Sequence, residues 1–306
     1  MISVILPTYN EAENIRRIIP AIAKVFQDEK IQGEVIVVDD DSPDGTAGIA
    51  SELGNSFPVR VYVRKSDRGL SKAVMKGFEM ARGEICVVMD ADLSHPVEKI
   101  PDMVQPILEG KCDATVGSRY VVGGGAQNWP LFRKIVSKGA GILAKGVTVL
   151  SDPTSGFMAV RRSILKGVTF DPLGWKIVLE VVVKTRARVL DVPIIFADRE
   201  EGESKLGLKA QVDYLRHLGR LYAYRYPLFF EFVKFSQLRF LRLHLSRRSG
   251  SSDRNHASID RVRRHGGKTM VYPGQFRGDC RCNGVQLPGQ QVCGFQKQTQ
   301  LLREID

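Results

Sequence analysis

Cysteine is scarce in this sequence, and the number and spacing of the cysteines argue against a disulfide-rich secreted domain and a zinc finger. The chain of 306 residues has 5 cysteines, and an odd total argues against a secreted disulfide framework. Cys280, Cys282 and Cys293 lack a second Cys-Xaa-Xaa-Cys half and a histidine at zinc-finger spacing. Cys86 lies in an apolar run and is predicted to be a small buried residue. The composition therefore favours a reduced, cytoplasmic setting.

Long hydrophobic runs are also missing. A transmembrane helix needs about 20 mostly apolar residues. The best late candidate, Tyr226 to Phe235, is shorter and is interrupted by Glu231 and Lys234. The N-terminus has no basic start and only a short apolar run before Pro7, so no signal peptide is predicted. We expect neither a membrane span nor a secretory leader.

Acidic residues are outnumbered by basic ones, which favours anionic partners. The net charge is +11 and the isoelectric point is about 9.5. These values do not choose among nucleic acid, a phosphorylated substrate and an anionic membrane. Many of the arginines fall in a polar, Gly- and Gln-rich stretch from about residue 237, which is predicted to be a poorly ordered tail. No nucleic-acid partner is expected, because binding would require this tail to form an ordered surface.

Strands and helices alternate through the first part of the chain. Apolar runs predict strands at Ser3 to Leu6, Glu34 to Val38, Val59 to Arg64 and Ile85 to Met89. Helical periodicity falls between them, most clearly from Ile15 to Phe26. This order predicts an α/β fold with a mostly parallel sheet flanked by helices, which binds ligands at the carboxyl ends of its strands. No Gly-Xaa-Gly-Xaa-Xaa-Gly follows the first strand, which argues against a dinucleotide oxidoreductase.

A later aromatic segment admits two interpretations. Leu208 to Phe235 is predicted to be helical, and its tyrosines and phenylalanines are interspersed with arginines. Such a mixture is typical of an amphipathic helix at a membrane interface, where aromatic rings lie at headgroup depth. It is equally typical of a helix packed on the preceding domain, and the sequence leaves both open.

Two acidic clusters follow predicted strands. Asp90 and Asp92 flank Ala91, and carboxylates two residues apart on an extended chain point the same way. Such a pair can hold Mg2+ or Mn2+ against a diphosphate, although a solvated turn is the alternative. Asp39, Asp40 and Asp41 form the other cluster, whose mutual repulsion requires either solvent or hydrogen-bond donors, such as those of a nucleotide base.

These clusters, together with Pro7 to Glu11, resemble those of the family 2 glycosyltransferases of GT-A fold. The resemblance covers about residues 1 to 206. It continues through later runs that look like the dolichyl-phosphate mannosyltransferase (polyprenol monophosphomannose synthase) branch. Those runs are Gly117 to Tyr120, Trp129 to Ser137, Asp152 to Phe157 and Asp198 to Leu206. It implies a GT-A catalytic domain over 1–206, amphipathic membrane-interface helices over 207–236 and an irregular basic tail over 237–306.

The resemblance also implies roles for individual residues. Asp90, Asp92 and Ser94 are the implied metal ligands. The implied acceptor-phosphate residues are Arg119, Arg133 and Ser137. The implied donor-nucleotide residues are Pro7, Tyr9, Glu11, Val38, Asp40, Asp90, Ala91, Lys176, Arg199 and Lys205. Asp90, Asp92, Arg119 and Arg199 are the expected catalytic residues.

The implied reaction is metal-dependent, inverting transfer of mannose from GDP-mannose to dolichyl or another polyprenyl phosphate, for use in protein glycosylation. The expected location is that of a peripheral membrane protein facing the cytoplasm. A membrane-anchoring partner protein is among the partners that the resemblance implies. Two alternatives remain open. One is a UDP-glucose:dolichyl-phosphate glucosyltransferase, and the other is a non-catalytic, membrane-associated protein that binds nucleotide sugars.

Overall fold

The structure is a computed structural model that describes residues 1–127, 129–174, 176–197 and 208–228. Arg199, Lys205, the three late cysteines and the predicted basic tail lie outside these residues. For them the expectations from the sequence stay predictions.

The described residues form a seven-stranded sheet, a two-stranded sheet and the helices that cover them. The strands are β1 (Ile2–Thr8), β2 (Gly33–Asp39), β3 (Val59–Val63), β4 (Ile85–Val88), β5 (Ala114–Ser118), β6 (Gly125–Ala126), β7 (Met158–Arg161), β8 (Val189–Pro193) and β9 (Ile195–Phe196). The helices are α1 (Ala12–Asp28), α2 (Thr46–Leu53), α3 (Leu70–Met80), α4 (Ile100–Leu108), α5 (Leu131–Ala144), α6 (Ile177–Thr185) and α7 (Leu208–Arg225).

The large sheet confirms the predicted α/β class. Its strand order is β3-β2-β1-β4-β7-β5-β8, and β7 runs antiparallel to both of its neighbours. The pairings β1–β2, β1–β4, β2–β3 and β5–β8 are parallel. The small sheet pairs β6 with β9 in parallel. This is the mostly parallel sheet of the GT-A type, with the carboxyl ends of its parallel strands at one edge.

Helices cover both faces of this sheet, which explains why its central strands are apolar on both sides. One core cluster packs α1 and α4 residues, such as Ile18 and Met103, against one face. The other packs α3 and α6 residues, such as Val74 and Val181, against the opposite face. Cys86 is fully buried in the second cluster, and burial raises the pKa of its thiol to about 12. It is therefore the inert, hydrophobic cysteine that its apolar run predicts.

The first strand is longer than predicted, because it continues through Pro7 to Thr8. Pairing of β1 with β4 ends at Ile5, whereas pairing with β2 continues to Thr8. Proline lacks an N–H, but at this position the side of β1 that faced β4 has no further ladder bond to make. Proline therefore does not end the strand.

Helix α7 packs on the preceding domain with one face. Leu218 and Leu221 are buried in a third cluster with residues of α5 and α6, such as Ala144 and Leu179. Three tyrosine hydroxyls extend this contact by donating to main-chain oxygens at the end of α5. The pairs are Tyr214 with Ala140 (2.7 Å), Tyr222 with Leu143 (2.8 Å) and Tyr226 with Gly146 (2.7 Å). The packed interpretation of this segment thus holds for one side of the helix.

The opposite side of α7 exposes Val212 and Leu215. A helix that buries one face and exposes apolar residues on another is compatible with an interface role as well. Among the described residues, none of the helices combines the length and apolar character needed to cross a bilayer.

Candidate active site

The polar loops that the sequence singles out meet at one edge of the sheet. They follow the carboxyl ends of β1, β2, β4 and β5. These four strands run in the same direction, and β7 lies between β4 and β5. Because β7 is antiparallel, the loop that precedes it reaches the same edge. That loop contains Asp152 to Phe157, and the main-chain N–H of Gly117 donates to the Phe157 oxygen (2.9 Å). The edge is therefore built from five separate segments.

The two carboxylates after β4 differ in their surroundings. Asp92 is buried, and its Oδ1 accepts hydrogen bonds from the Ser94 hydroxyl (2.5 Å) and the Ser94 N–H (3.1 Å). Asp90 has a partly exposed side chain, whose Oδ2 lies 4.0 Å from His95 Nδ1. Ser94 thus orients the Asp92 carboxylate. The sequence predicted Ser94 only as a metal ligand and did not predict this orienting role.

The donor set fits a hard divalent cation, since Asp90, Asp92 and Ser94 offer only oxygen atoms. Within the described part of the chain, no cluster of three or more His, Cys, Asp or Glu residues is arranged to hold a metal. A cation bound here would use oxygen ligands beyond these three residues, and phosphate or water can supply them.

His95 holds the loop that carries Asp90 and Asp92 in place. Its side chain is buried, Nδ1 accepts a hydrogen bond from the Asp90 N–H (3.0 Å), and the ring stacks on Phe157 at 5.2 Å. Gly156 lies beside both Asp90 and His95. A Cβ at Gly156 would lie 3.4 Å from Asp90 Oδ2 and 3.4 Å from His95 Cε1. The backbone thus passes close to Asp90, and His95 orients the loop instead of acting as an open base.

The acidic cluster after β2 finds its donors within the protein. Asp39 accepts hydrogen bonds from the Thr8 hydroxyl (2.8 Å) and the Ser42 hydroxyl (2.6 Å). Asp40 is buried, and it accepts from Arg64 Nη1 (2.8 Å) and from the Gly69 N–H (2.6 Å). These hydrogen-bond donors within the protein explain how the adjacent carboxylates are tolerated. Asp40 therefore fixes the segment after β3, whatever contact it makes with a nucleotide.

The other expected donor-nucleotide residues line the same edge with different exposures. Tyr9 is 46% exposed, and Glu11 is partly buried with its main-chain N–H bonded to the Thr46 hydroxyl (3.0 Å). Pro7 and Val38 face each other in the β1–β2 pairing, and the Val38 side chain is fully buried in the core. Any contact of Val38 with a ligand would therefore be through its main chain.

The first acceptor-phosphate candidate, Arg119, is held by a buried carboxylate. Its Nε and Nη2 donate to the two oxygens of Asp152 (2.6 and 2.8 Å), and Nη2 also donates to the Thr154 hydroxyl (2.8 Å). Burial alone would raise the pKa of Asp152. The hydrogen bonds and charge of Arg119 outweigh burial and hold this pKa below its ordinary value. Nη1 is not used in these bonds, so the guanidinium is both anchored and able to bind an anion.

The other acceptor candidates join Arg119 through Thr154 and Trp129. Ser137 and Thr154 share a hydrogen bond between their hydroxyls (3.1 Å). Arg133 lies on the same helix, α5, one turn before Ser137, and its guanidinium carbon is 4.1 Å from the Trp129 ring centroid. The structure thus brings together three residues that are separate in the sequence.

Lys176 lies between these two groups of residues. Its Nζ donates to the Thr154 main-chain oxygen (2.7 Å), and the side chain is buried. Burial, together with the neighbouring Arg119 charge, lowers the pKa of Lys176 to about 7, and Asp152 and Asp90 oppose part of this change. Its proximity to Asp90 and Arg119 joins the carboxylate pair to the arginines in one site.

Lys176→Met is expected to change how stability depends on pH. Between about pH 7 and pH 10, folded Lys176 is largely neutral whereas the unfolded chain keeps the proton, so the wild type gains stability as pH rises. Methionine cannot titrate. The difference in unfolding free energy between the two proteins should therefore change by roughly 1 kcal/mol per pH unit.

Urea denaturation at pH 7, 8 and 9 measures this difference. Lys145→Met, at an exposed position, serves as the matched control and should follow the wild-type profile. Parallel profiles for the wild type and Lys176→Met would show that Lys176 does not titrate in this range.

Several residues of the site were not assigned a role from the sequence. Asp152 and Thr154 hold Arg119, and Trp129 contacts two arginines. Phe196 lies against both Trp129 and His95, with ring centroids 5.5 and 5.4 Å apart. Asp152 and Trp129 fall within runs that carry the family resemblance, which was the available signal for them. No sequence signal marked Phe196.

Comparison with known proteins agrees with this arrangement. Residues 3–169 match the family described as Glycosyl transferase family 2. The chain belongs to this family, and it is therefore a glycosyltransferase with the GT-A fold.

Two relatives are more specific. The chain is 45% identical to a dolichol-phosphate mannosyltransferase of Pyrococcus furiosus, over 72% of this chain and 63% of that protein. It is 39% identical to a dolichol-phosphate mannosyltransferase of Mycosarcoma maydis, over 73% of this chain and 80% of that protein. The match thus spans less than two thirds of the length of the Pyrococcus relative.

Solved structures share the fold at lower identity. Glucosyl-3-phosphoglycerate synthase from Mycobacterium tuberculosis, in complex with Mn2+, UDP and glucosyl-3-phosphoglycerate, superposes with a TM-score of 0.56 at 20% identity, covering 74% of this chain and 79% of that one. The mannosyltransferase PcManGT from Pyrobaculum calidifontis, in complex with GDP-Man and Mn2+, gives 0.50 at 21% identity, covering 72% and 63%. At these identities the likeness is one of fold.

Proposed function

We propose that the protein transfers mannose from GDP-mannose to a polyprenyl phosphate, with dolichyl phosphate as the favoured acceptor. The observation that carries this proposal is the meeting of two kinds of group at one edge of the sheet. Asp90 and Asp92 suit a metal-bound diphosphate, and Arg119 and Arg133 suit a second anion beside it. An enzyme that joins two phosphate-bearing substrates needs both. The names of the two relatives support mannose and dolichyl phosphate as the choice.

On the donor side, the expected cofactor is Mg2+ or Mn2+ on Asp90, Asp92 and Ser94. A divalent cation there supplies charge neutralisation for the diphosphate leaving group. Pro7, Tyr9, Glu11, Val38, Asp40 and Ala91 are proposed to surround the nucleotide. Arg199 and Lys205 lie outside the described residues, and their proposed closing on the diphosphate rests on the family resemblance alone.

On the acceptor side, Arg119, Arg133 and Ser137 are proposed to hold the phosphate. Guanidinium groups match phosphate oxygens with paired donors. A phosphate monoester has a second pKa of about 6, by analogy with phosphorylated side chains, so it is already an anionic nucleophile near neutral pH. The described residues then have to align the acceptor and reduce its repulsion from the donor, and no dedicated base is needed. A single displacement gives inversion at the anomeric carbon.

The membrane is the proposed location of the acceptor, and α5 is suited to meet it. Leu131 and Phe132 are each 73% exposed, Ile135 is 60% exposed and Ile142 is 65% exposed. Exposed lysines at 134, 138 and 145 accompany them. Apolar side chains with nearby cations are typical of a surface that lies on an anionic leaflet. Because Arg133 and Ser137 lie on the same helix, docking would bring the acceptor site to the lipid phosphate.

We therefore propose a peripheral membrane protein on the cytoplasmic side, with 207–236 contributing to the interface and a membrane-anchoring partner protein as a further possibility. The division into 1–206, 207–236 and 237–306 remains part of this proposal.

Phe132→Ser/Ile135→Ser is expected to lower binding to anionic vesicles at least about tenfold, because two exposed apolar side chains no longer enter the lipid. Vesicle sedimentation measures the partition coefficient. Leu108→Ser/Leu190→Ser, which replaces exposed leucines on α4 and β8, is the matched control and should bind like the wild type. Unchanged binding by the α5 variant would exclude α5 as the docking surface.

A transfer assay tests the proposed reaction directly. Labelled GDP-mannose, UDP-glucose and GDP-glucose are each offered with dolichyl phosphate in detergent, with Mg2+ or Mn2+. Mannolipid formed from GDP-mannose alone is the expected result. Product from UDP-glucose instead would favour the glucosyltransferase alternative. Tight nucleotide-sugar binding without any product would favour the non-catalytic alternative, and a product that retains the anomeric configuration would exclude single displacement.

A further inference from the structure

Trp129 contacts two arginines at once. Its ring centroid lies 4.1 Å from the Arg133 guanidinium carbon and 4.6 Å from that of Arg119. The side chain is only 8% exposed, and Phe196 lies against it at 5.5 Å in an edge-to-face contact. A tryptophan that served only to fill the core would be surrounded by apolar side chains. Here two of its close neighbours are cations from different segments.

The two guanidinium groups are held in different ways. Arg119 is anchored on Asp152 and Thr154, so its position is fixed even without Trp129. Arg133 lies in the first turn of α5 and contacts the Trp129 ring. Like charges this close repel, and the negative face of an indole ring offsets part of that repulsion. Both arginines thus contact the Trp129 ring.

The indole N–H gives a second, independent indication of an anionic ligand. Nε1 is buried and has no hydrogen-bond partner within the part of the chain that the structure describes. An unmet buried donor is unfavourable and uncommon in folded proteins. A donor in this state beside two guanidinium groups is suited to a ligand that accepts hydrogen bonds and is negatively charged.

We propose that Trp129 is a positioning residue for the acceptor phosphate, because its ring sets the spacing between Arg119 and Arg133. This inference rests on the proposed function for the identity of the phosphate ligand. It predicts a specific kinetic effect. Loss of the ring weakens binding of the acceptor and leaves binding of the nucleotide sugar unchanged, since the Asp90 and Asp92 side of the site does not contact Trp129 through any of these interactions.

The test compares Trp129→Phe and Trp129→Leu with the wild type. A cation–π contact is strongest in a desolvated site, and tryptophan is a better partner than phenylalanine. We expect the KM for dolichyl phosphate to rise about tenfold in Trp129→Leu and about threefold in Trp129→Phe. The KM for GDP-mannose should stay within about twofold of the wild-type value in both.

Phe78→Leu is the matched control, because Phe78 is equally buried but lies on α3 in the core, away from the arginines. It should lower the melting temperature without changing either KM. A purely structural role for Trp129 would give the same pattern in Trp129→Leu as in Phe78→Leu, and that result would overturn the inference.

Equilibrium binding provides a readout that does not need turnover. Farnesyl phosphate, titrated calorimetrically into the wild type and both variants, should bind with the order wild type, Trp129→Phe, Trp129→Leu. Inorganic phosphate should follow the same order if the phosphate group is what is recognised. Equal affinities in all three proteins would overturn the inference, whatever the transfer assay gives. Absence of transfer in the wild type, with the order of affinities kept, would instead count against the proposed reaction alone.

Discussion

Asp92→Asn is expected to lower the rate of mannose transfer about 100- to 1000-fold. An amide is a poorer ligand than a carboxylate for a hard cation, and metal stabilisation of a leaving group contributes several kcal/mol to the barrier. Asparagine keeps the shape of the side chain and an oxygen that can still accept from the Ser94 hydroxyl. The loss should therefore fall on catalysis and leave the fold intact. Steady-state transfer from GDP-mannose, at several Mn2+ concentrations, measures it.

The metal dependence separates a ligand from a merely structural carboxylate. If Asp92 binds the cation, the variant should need more Mn2+ for half-maximal rate. Asp102→Asn is a suitable control, because Asp102 is an exposed carboxylate on α4 that pairs with Lys99. Wild-type rates and metal requirement in Asp92→Asn would remove this residue from the proposed metal site.

Features of the fold that depend on residues close together in the sequence were predictable from the sequence. Helix α1 and strands β1, β2 and β4 follow from their apolar periodicity, and the class of sheet follows from the order of elements. Differences arose where a remote neighbour decides the outcome. The extension of β1 past Pro7 depends on where its pairing with β4 ends, and no property of the local sequence reports this.

The site shows the same distinction. The family resemblance implied that Asp90, Arg119, Arg133 and Lys176 belong to one site, and the structure brings them to one edge of the sheet. Their roles remain predictions. The sequence could not predict which side chains contact these residues in the fold. Asp152 reaches Arg119 because an antiparallel strand returns its loop to this edge, and the Lys176 pKa depends on burial that only the assembled fold creates.

The side chains that orient the site form a connected set of contacts. His95 accepts from the Asp90 N–H, Phe196 lies against His95, and Trp129 lies against Phe196 and the arginines. Aromatic side chains with few rotatable bonds are suited to hold groups at a set spacing. Each of these contacts is local, so Trp129 acts directly on the arginines and His95 acts directly on the Asp90 loop.

Arg119→Met is expected to lower the free energy of unfolding by about 3–5 kcal/mol, because it leaves the fully buried Asp152 carboxylate without its counter-charge. The destabilisation should shrink as pH falls. In the wild type, Arg119 holds the Asp152 pKa below its ordinary value of 3.8, so the pair stabilises the fold above that pH and loses this contribution as pH falls through the folded-state pKa. Without Arg119, burial raises the pKa of Asp152 instead. Protonation of Asp152 in mild acid then removes the buried charge and reduces the destabilisation of the variant. Urea denaturation at pH 7 and pH 5 measures both effects.

A second substitution separates the stability of the fold from the chemistry of the site. Arg119→Met/Asp152→Asn removes the unpaired charge, and the amide oxygen can still accept from the Thr154 hydroxyl. We expect it to recover at least half of the lost stability but none of the lost acceptor binding, because the guanidinium proposed to hold the phosphate is still missing. A lost charge-assisted contact of about 2–5 kcal/mol corresponds to a KM for dolichyl phosphate at least about thirtyfold above the wild-type value. If activity returned with stability, Arg119 would be a structural partner of Asp152 and not a phosphate ligand. Arg133 would then have to hold the acceptor without it.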